Sequence, residues 1–262
     1  MDRTESKSKK TYNGIVVWNW QKAQSVCYWL KNQLLLTGIR FDRVKNYVLL
    51  ILFIFSGYGN VIAQLDYGPK DAPIVTIGNQ TWMVKNLNVV TFANGDTIPQ
   101  AKTDEEWKRA SDNQKPAWCY YDNDPSNDSK YGKLYNWFAV NDKRSLAPKG
   151  WHVPSDAEWT TLTKYCGGET TAGTVLKSTN RWESYFGVSG NGNNSSGFAA
   201  LPAGNRNDDG AFYSIGKVGN WWSSSENFKD NSWYRLLGCT NNKVLRFNFV
   251  KGCGLSVRCI KD

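Results

Sequence analysis

Histidine is almost missing from this chain. The only one is His152, in GWHVP, which sets aside a His-based triad and a zinc site with several histidines. Beside Trp151 and just ahead of a helix cap, it reads as a satisfied structural residue. No glycine-rich phosphate loop follows a strand, and no internal repeat of solenoid length is present. Glutamate and alanine helix runs are scarce, which argues against a helical bundle. The one long apolar run, YVLLILFIF at 47–55, is too short to span a bilayer, which takes roughly 20 apolar residues. No cysteine follows that run, so lipoprotein processing there is not expected.

Aromatic residues and glycine are abundant. Thirteen Trp, 13 Tyr and 23 Gly in 262 residues suit a loop-rich domain of short strands pinned by aromatic anchors. The formal charge is +9, but nine of the 32 Lys and Arg and three of the 23 Asp and Glu precede residue 64, so that stretch carries +6 of it. The body is nearly neutral with mixed charge. A phosphate-tracking stripe is weakly supported there, and nucleic acid is not an expected partner.

The leader has the pattern of an export signal. Arg43, Lys45 and Asn46 precede the apolar run, and Val61 and Ala63 stand at −3 and −1 of a cut after Ala63. Residues 44–63 are therefore read as a signal peptide, and 1–43 as an upstream extension beyond the true start. The alternative is a cytoplasmic extension with a signal anchor. Residues 64–73 form a linker and 74–262 the domain. The exported product is expected in the periplasm, at the cell surface or in the medium, with no stable membrane insertion after cleavage. Cys119, Cys166, Cys239, Cys253 and Cys259 remain. An odd count in an oxidising compartment suggests two bridges and one thiol left over.

IVTIGNQTWMVKNL reads as a hairpin turning at Gly78-Asn79. Thr103 with Glu106, and Ser155 with Glu158, have capping-box spacing. YGKLYNWFAVND fits a short buried helix carrying Leu134, Trp137, Phe138 and Val140. From residue 196 onward, short strands alternate with Gly and Asn turns: GFAALPAG, NWWSSSE, SWYRLLGC, KVLRFNFV and GLSVRCIK.

Those segments, with IGNQTWMVKNLN, YGKLYNWFAVND, LAPKGWHVPSDAEWTTL and SSGFAALPAGNR, occur in the order that resembles the Fibrobacter succinogenes major paralogous domain, over roughly residues 70–262. Such domains are found on bacterial secreted and surface proteins. The closing segments are also similar in architecture to the C-type-lectin-like fold, which the formylglycine-generating enzymes share. The expected fold is thus α+β and C-type-lectin-like, with short antiparallel strands, a few short helices and disulfide staples. The resemblance implies Cys166–Cys259 and Cys239–Cys253 bridges, the longer loop contributing about 4 kcal/mol on a chain-entropy argument. Cys119 is then the odd thiol, because CYYDNDPSNDSKYG lacks the second cysteine that family members often have. The competing reading makes Cys253 and Cys259 a reactive dithiol near Lys251 and Arg258.

Three candidate sites follow. Asp122, Asn123, Asp124 and Asp128, with Asn127, concentrate oxygen donors that could take Ca2+. Their spacing is not that of an EF-hand, and an Asx-rich turn explains them equally. In GNWWSSSENF, Trp221 and Trp222 point to opposite faces of a strand. One is expected in the core. The other is a candidate for stacking on a sugar ring, with Ser223, Ser225, Glu226 and Asn227 supplying hydrogen bonds; alternatively both indoles are buried. In KVLRFNFV, Leu245, Phe247 and Phe249 are expected in the core. Val244, Arg246, Asn248 and Val250 face outward, and Arg235 and Lys251 extend that polar surface. The function expected from these features is non-catalytic binding of a glycan or surface polymer. A thiol-dependent oxidase-like enzyme and a purely structural surface protein are the alternatives.

Overall fold

The computed structural model describes residues 73–262. The upstream extension, the signal peptide and nearly all of the linker fall outside the described residues.

The domain is α+β, with 11 short strands and five short helices. Strands β1 (Ile74–Ile77) and β2 (Gln80–Met83) form the expected hairpin, and Gly78 takes the turn at φ +62°. Trp82 of β2 is fully buried and pairs with Ile260 of β11 (Ile260–Lys261). β11 pairs in turn with β5 (Trp151–His152), so one four-stranded sheet, β1-β2-β11-β5, joins the two ends of the domain.

The second sheet has the order β10-β9-β8-β6-β7. Its centre is β8 (Val218–Phe228), the longest strand, flanked antiparallel by β9 (Asn231–Gly238). Across β8 lies β6 (Ala203–Arg206), held by one parallel bridge between Gly204 and Gly219. A Cβ on Gly219 would sit 2.4 Å from the Trp221 ring and 2.6 Å from Leu201 O, so close backbone approach requires glycine here. β7 (Phe212–Ile215) and β10 (Val244–Val250) are the edges. β3 (Trp118–Cys119) and β4 (Leu134–Tyr135) form a separate short pair.

Helix α1 (Asp104–Asp112) is capped by Thr103, whose Oγ accepts from Glu106 N. The reciprocal half of the expected box is displaced, because Glu106 accepts from Lys102 N. α2 (Asp128–Tyr131) is a single turn. The expected buried helix at 131–142 is confined to α3 (Trp137–Val140), and Leu134 lies instead in β4. α4 (Asp156–Tyr165) has the complete Ser155–Glu158 box. α5 (Ala172–Leu176) follows the Gly167-Gly168 stop. No helix of the described residues is long and apolar enough to cross a membrane.

The chain's last stretch is its most enclosed. Every residue from 251 to 260 is buried. This segment bridges to Tyr135, Arg206 and Trp221 before ending in β11, so it runs through the middle of the domain. On one side of it, Cys253, Leu255, Val257 and Cys259 pack with Trp137, Tyr135 and Trp222. On the other, Ile260 joins Trp82, Trp159, Phe198 and Trp221.

That division explains the absence of the expected bridges. Among the described residues all five cysteines are free. Cys253 and Cys259 belong to the first cluster, whereas Cys166 and Cys239 pack against the second. Each expected pair, Cys166–Cys259 and Cys239–Cys253, is thereby split between two packing units. The fold is held by interleaved aromatics and not by disulfide staples.

Candidate functional site

The tryptophan pair is scaffold. Trp221 and Trp222 are 1% and 0% exposed. Both carry the hydrogen bond that a buried indole needs: Trp221 Nε1 donates to Asn86 Oδ1 at 2.9 Å and Trp222 Nε1 to Tyr135 O at 2.9 Å. Neither ring is open to a ligand; of the two readings the sequence allowed, the one with both indoles buried holds, and Trp221 and Trp222 are not a stacking surface. The reason is topological. β8 is a central strand with packing on both faces.

The serines beyond them support the helix next door. Ser223 is buried, and Asp156 N donates to Ser225 Oγ at 3.0 Å. Arg235 is also misplaced as surface. It is 3% exposed, beneath the start of α4. Its Nη1 donates to Asp156 Oδ1 at 2.7 Å, and its Nη2 donates to Asp156 O and Thr160 Oγ1. Glu226 is exposed and pairs with Lys251, which is buried and not part of the expected polar face, while Asn227 is half-buried. Arg246 and Asn248 are exposed as expected. The two faces of β10 are not divided as expected, however. Phe247 is 47% exposed, and Val244 is buried at the strand end where its N–H donates to Glu169 O.

The acidic loop spends its oxygens locally. Asp124 accepts from Ser126 N at 2.8 Å and Ser126 Oγ at 2.7 Å, an Asx turn. Those hydrogen bonds hold the Asp124 carboxyl below its ordinary value. Asp128 pairs with buried Lys133 at 2.7 Å, and Asn123 Oδ1 meets Arg206. Asp122 is exposed at φ +53°. Among the described residues no group of three or more His, Cys, Asp or Glu is arranged to hold a metal ion. Asp122, Asn123, Asp124 and Asp128 are thus a turn rather than a convergent Ca2+ shell.

Cys119, Cys253 and Cys259 are buried, whereas Cys166 and Cys239 are half-buried. Burial pushes the Cys119, Cys253 and Cys259 thiols up to about 12, and Cys166 to about 11. A nucleophilic cysteine needs accessible thiolate near neutral pH. Arg258 lowers the Cys259 value without overcoming its burial. His152 is satisfied at both nitrogens, by Asp262 at Nδ1 (2.7 Å) and Glu158 at Nε2 (2.8 Å). It ties the last residue of the chain to α4 beside a polar depression of about 400 Å3 lined by Gln80, Thr161 and Lys261.

A second opening lies elsewhere. An open groove of about 530 Å3 runs between the end of α1 and the end of α3. Pro116, Trp137 and Phe138 form its apolar side; Gln114, Asn141, Asp142 and Lys143 supply polar groups. Local structure builds it stepwise. Asn136 caps α3 by accepting from Ala139 N, and the same Oδ1 accepts from Ala117 N at 3.0 Å. Its Nδ2 donates to Lys115 O at 2.8 Å. One buried amide therefore fixes the 115–117 wall to the α3 floor. The far end is set by Arg144, which lies 4.1 Å from the Phe92 ring centroid. Its Nε and Nη2 each donate to Asp142 at 2.8 Å. Those hydrogen bonds hold the Asp142 carboxyl below its ordinary value despite partial burial.

Sequence reasoning missed this groove because it assigned Phe138 to the core. The signal was available in helix geometry. With 100° per residue, a turn that buries Trp137 and Val140 aims Phe138 about 200° away from Val140, and Phe138 is half-buried here.

The family described as Fibrobacter succinogenes major domain matches residues 75–261. No match was found among curated proteins or among solved structures. The family match spans nearly all of the described fold, from β1 through β11, and this chain therefore belongs to the Fibrobacter succinogenes major domain family.

Proposed function

We propose that this chain is an exported, non-catalytic binding module that acts at the bacterial cell surface or outside it and takes a glycan or another surface polymer in the Phe138 groove. The observation that carries the reading is the groove's composition. The half-buried Phe138 and Pro116, beside the largely covered Trp137, face amide and charged groups at Gln114, Asn141, Asp142 and Lys143. A sugar chain has the matching chemistry: an apolar ring face and a rim of hydroxyls. The groove is open, so a polymer can lie across it without threading. The basic and apolar leader supports export. The sheet that joins the two ends of the domain, with long ordered loops between, supports a C-type-lectin-like form of the α+β fold. Burial of Cys253 and Cys259, which raises both thiols, weighs against the thiol-enzyme alternative.

The test is titration of the protein with a panel of soluble polysaccharides, followed by calorimetry. Saturable binding is expected for at least one polymer. Phe138→Ala removes a ring contact and Asn141→Ala a directional hydrogen bond, each about 1 kcal/mol, so each weakens binding roughly fivefold. Tyr165→Ala, an exposed aromatic outside the groove lining, leaves affinity unchanged. Absence of saturable binding across the panel, or groove variants that bind as the parent does, overturns the reading.

A further inference from the structure

We propose that β10 is a self-association edge, at which two copies of this chain pair antiparallel across a two-fold axis and join their five-stranded sheets. This surface is separate from the groove, so the proposal stands or falls independently of glycan binding.

The argument begins with the direction of the backbone groups. Val244 lies opposite Leu237 of β9, yet its N–H donates away from β9, to Glu169 O at 2.8 Å. In an antiparallel ladder, residues alternate between pointing both backbone groups at the neighbour and pointing both away. Arg246 and Asn248 therefore share the outward direction of Val244. Among the described residues no backbone or side-chain group bonds the main-chain N–H or C=O of Arg246 or Asn248 on that side. Four strong hydrogen-bonding groups stand open in a row.

Edges of this kind are ordinarily blocked by lysine, proline, a bulge or brevity. The opposite edge, β7, is blocked: it is four residues long and Ser214 within it takes φ +66°. β1 is also four residues long, and Pro73 directly precedes it. β10 has seven residues, regular pairing throughout, and no proline or lysine. Its single charge is Arg246, which does not guard the edge. The guanidinium lies 3.4 Å from the Trp233 ring centroid and Nε donates to Asp156 at 2.9 Å. Phe247 and Val250 stay 47% and 39% exposed on opposite faces of the strand.

The strand is also self-complementary. A two-fold axis at Phe247 sets Arg246 opposite Asn248 of the second copy, and Leu245 opposite Phe249. An axis at Asn248 sets Phe247 opposite Phe249 and Arg246 opposite Val250. Neither brings Arg246 against its own copy, which would place like charges face to face. Both give Phe247 an aromatic cross-strand neighbour. A second copy satisfies the four open backbone groups of Arg246 and Asn248 and pairs Phe247 with a phenyl ring of its partner, and for that reason it is the assigned occupant.

Asn248→Pro tests this selectively. Its N–H points away from β9, so proline removes an outward donor and leaves the native ladder intact. Asn248→Lys is the second variant, adding a cation beside Arg246 of the other copy. Sedimentation velocity of the full chain over a concentration series is expected to show a monomer–dimer equilibrium. Each variant raises the dissociation constant by at least roughly tenfold while the tryptophan emission of the fold is unchanged. A chain that stays monomeric at every concentration, including one whose edge accepts only extended peptides of another protein, overturns the proposal. So does a dimer that both variants leave intact.

Discussion

Removing the carboxylate of Asp156 should be among the most damaging single changes in this domain. Asp156 opens α4 and receives two arginines. Buried Arg235 donates to its Oδ1 at 2.7 Å, and exposed Arg246 donates to both oxygens at 2.9 and 3.1 Å. Arg235 is 3% exposed and has no other carboxylate partner. Asp156→Ala therefore strands a cation out of reach of water, a change that costs about 3–5 kcal/mol. Loss of an acidic residue from the first helical turn adds about 0.3–1 kcal/mol. Asp156→Asn keeps an acceptor for Arg235 but loses the charge, so about 1–2 kcal/mol is expected. Arg246→Gln removes only the exposed partner and costs less than about 1 kcal/mol. Urea unfolding followed by tryptophan emission reads all three, with the slope of the transition unchanged. The pH dependence supplies an internal check. Partial burial works to raise the Asp156 carboxyl, but hydrogen bonds from Arg246 and Arg235 outweigh it and hold the group below 3.8. A depressed folded value means that the contribution is present above about pH 4 and is lost as pH falls through the folded value. The gap between parent and Asp156→Ala should close on acidification. An Asp156→Ala loss under about 1 kcal/mol at neutral pH would refute the stranded-cation argument.

Three further outcomes follow from the same geometry. Partial burial opposes protonation of His152, yet Glu158 and Asp262 outweigh it and raise its value above 6.5. The clamp is therefore complete below pH 6.5 and weakens as pH rises through the raised value. With the ring 41% exposed, the contribution is less than about 1 kcal/mol. A thermal-melt series from pH 5 to 9 should show this slope in the parent and lose it in His152→Gln; parallel curves would count against the clamp. Mass spectrometry without reduction should find Cys119, Cys166, Cys239, Cys253 and Cys259 unbridged. A thiol reagent should leave buried Cys119, Cys253 and Cys259 unlabelled until the protein is unfolded; a Cys166–Cys259 link would contradict the packing described. Gly219→Ala forces a Cβ to 2.4 Å from the Trp221 ring and should destabilise by about 1–3 kcal/mol, read by urea unfolding. An unchanged midpoint would show that the β6–β8 bridge gives way freely.

Local signals in the chain were reliable where one neighbour decides the outcome. Gly78-Asn79 turned the first hairpin, Ser155 and Glu158 built the full box on α4, and Asp124 closed an Asx turn. Where burial depends on a distant layer, the sequence left alternatives open or the residue was misassigned. A two-residue alternation says that Trp221 and Trp222 point opposite ways, but not that the 251–260 segment and α4 close over both. The same limit applies to Phe247. Its place in a period-2 pattern fits a core face, yet it is 47% exposed in the fold. Counting cysteines fails for a related reason. Bridging is a matter of which cluster each thiol packs in, and that is set by strand order.

Charge provides the last step. Among the described residues six cations are buried, Lys133, Lys177, Arg206, Arg235, Lys251 and Arg258, and no carboxylate side chain is buried as deeply. Each burial carries a desolvation cost that the surroundings must offset. Aromatic faces help to do so. Lys133 sits over Trp118 and Tyr120, Arg206 near Trp107 and Phe212, Lys251 over Trp137, and Arg258 near Phe198 and Trp221. Arg258 has no carboxylate partner at all; its Nη2 donates to Asn86, its Nη1 to Phe198 O, and burial lowers its value to about 9. The high tryptophan content thus has a structural use in this fold, in which indoles and phenyl rings line internal cation sites. The same arrangement removes six cations from the surface that a phosphate backbone would need.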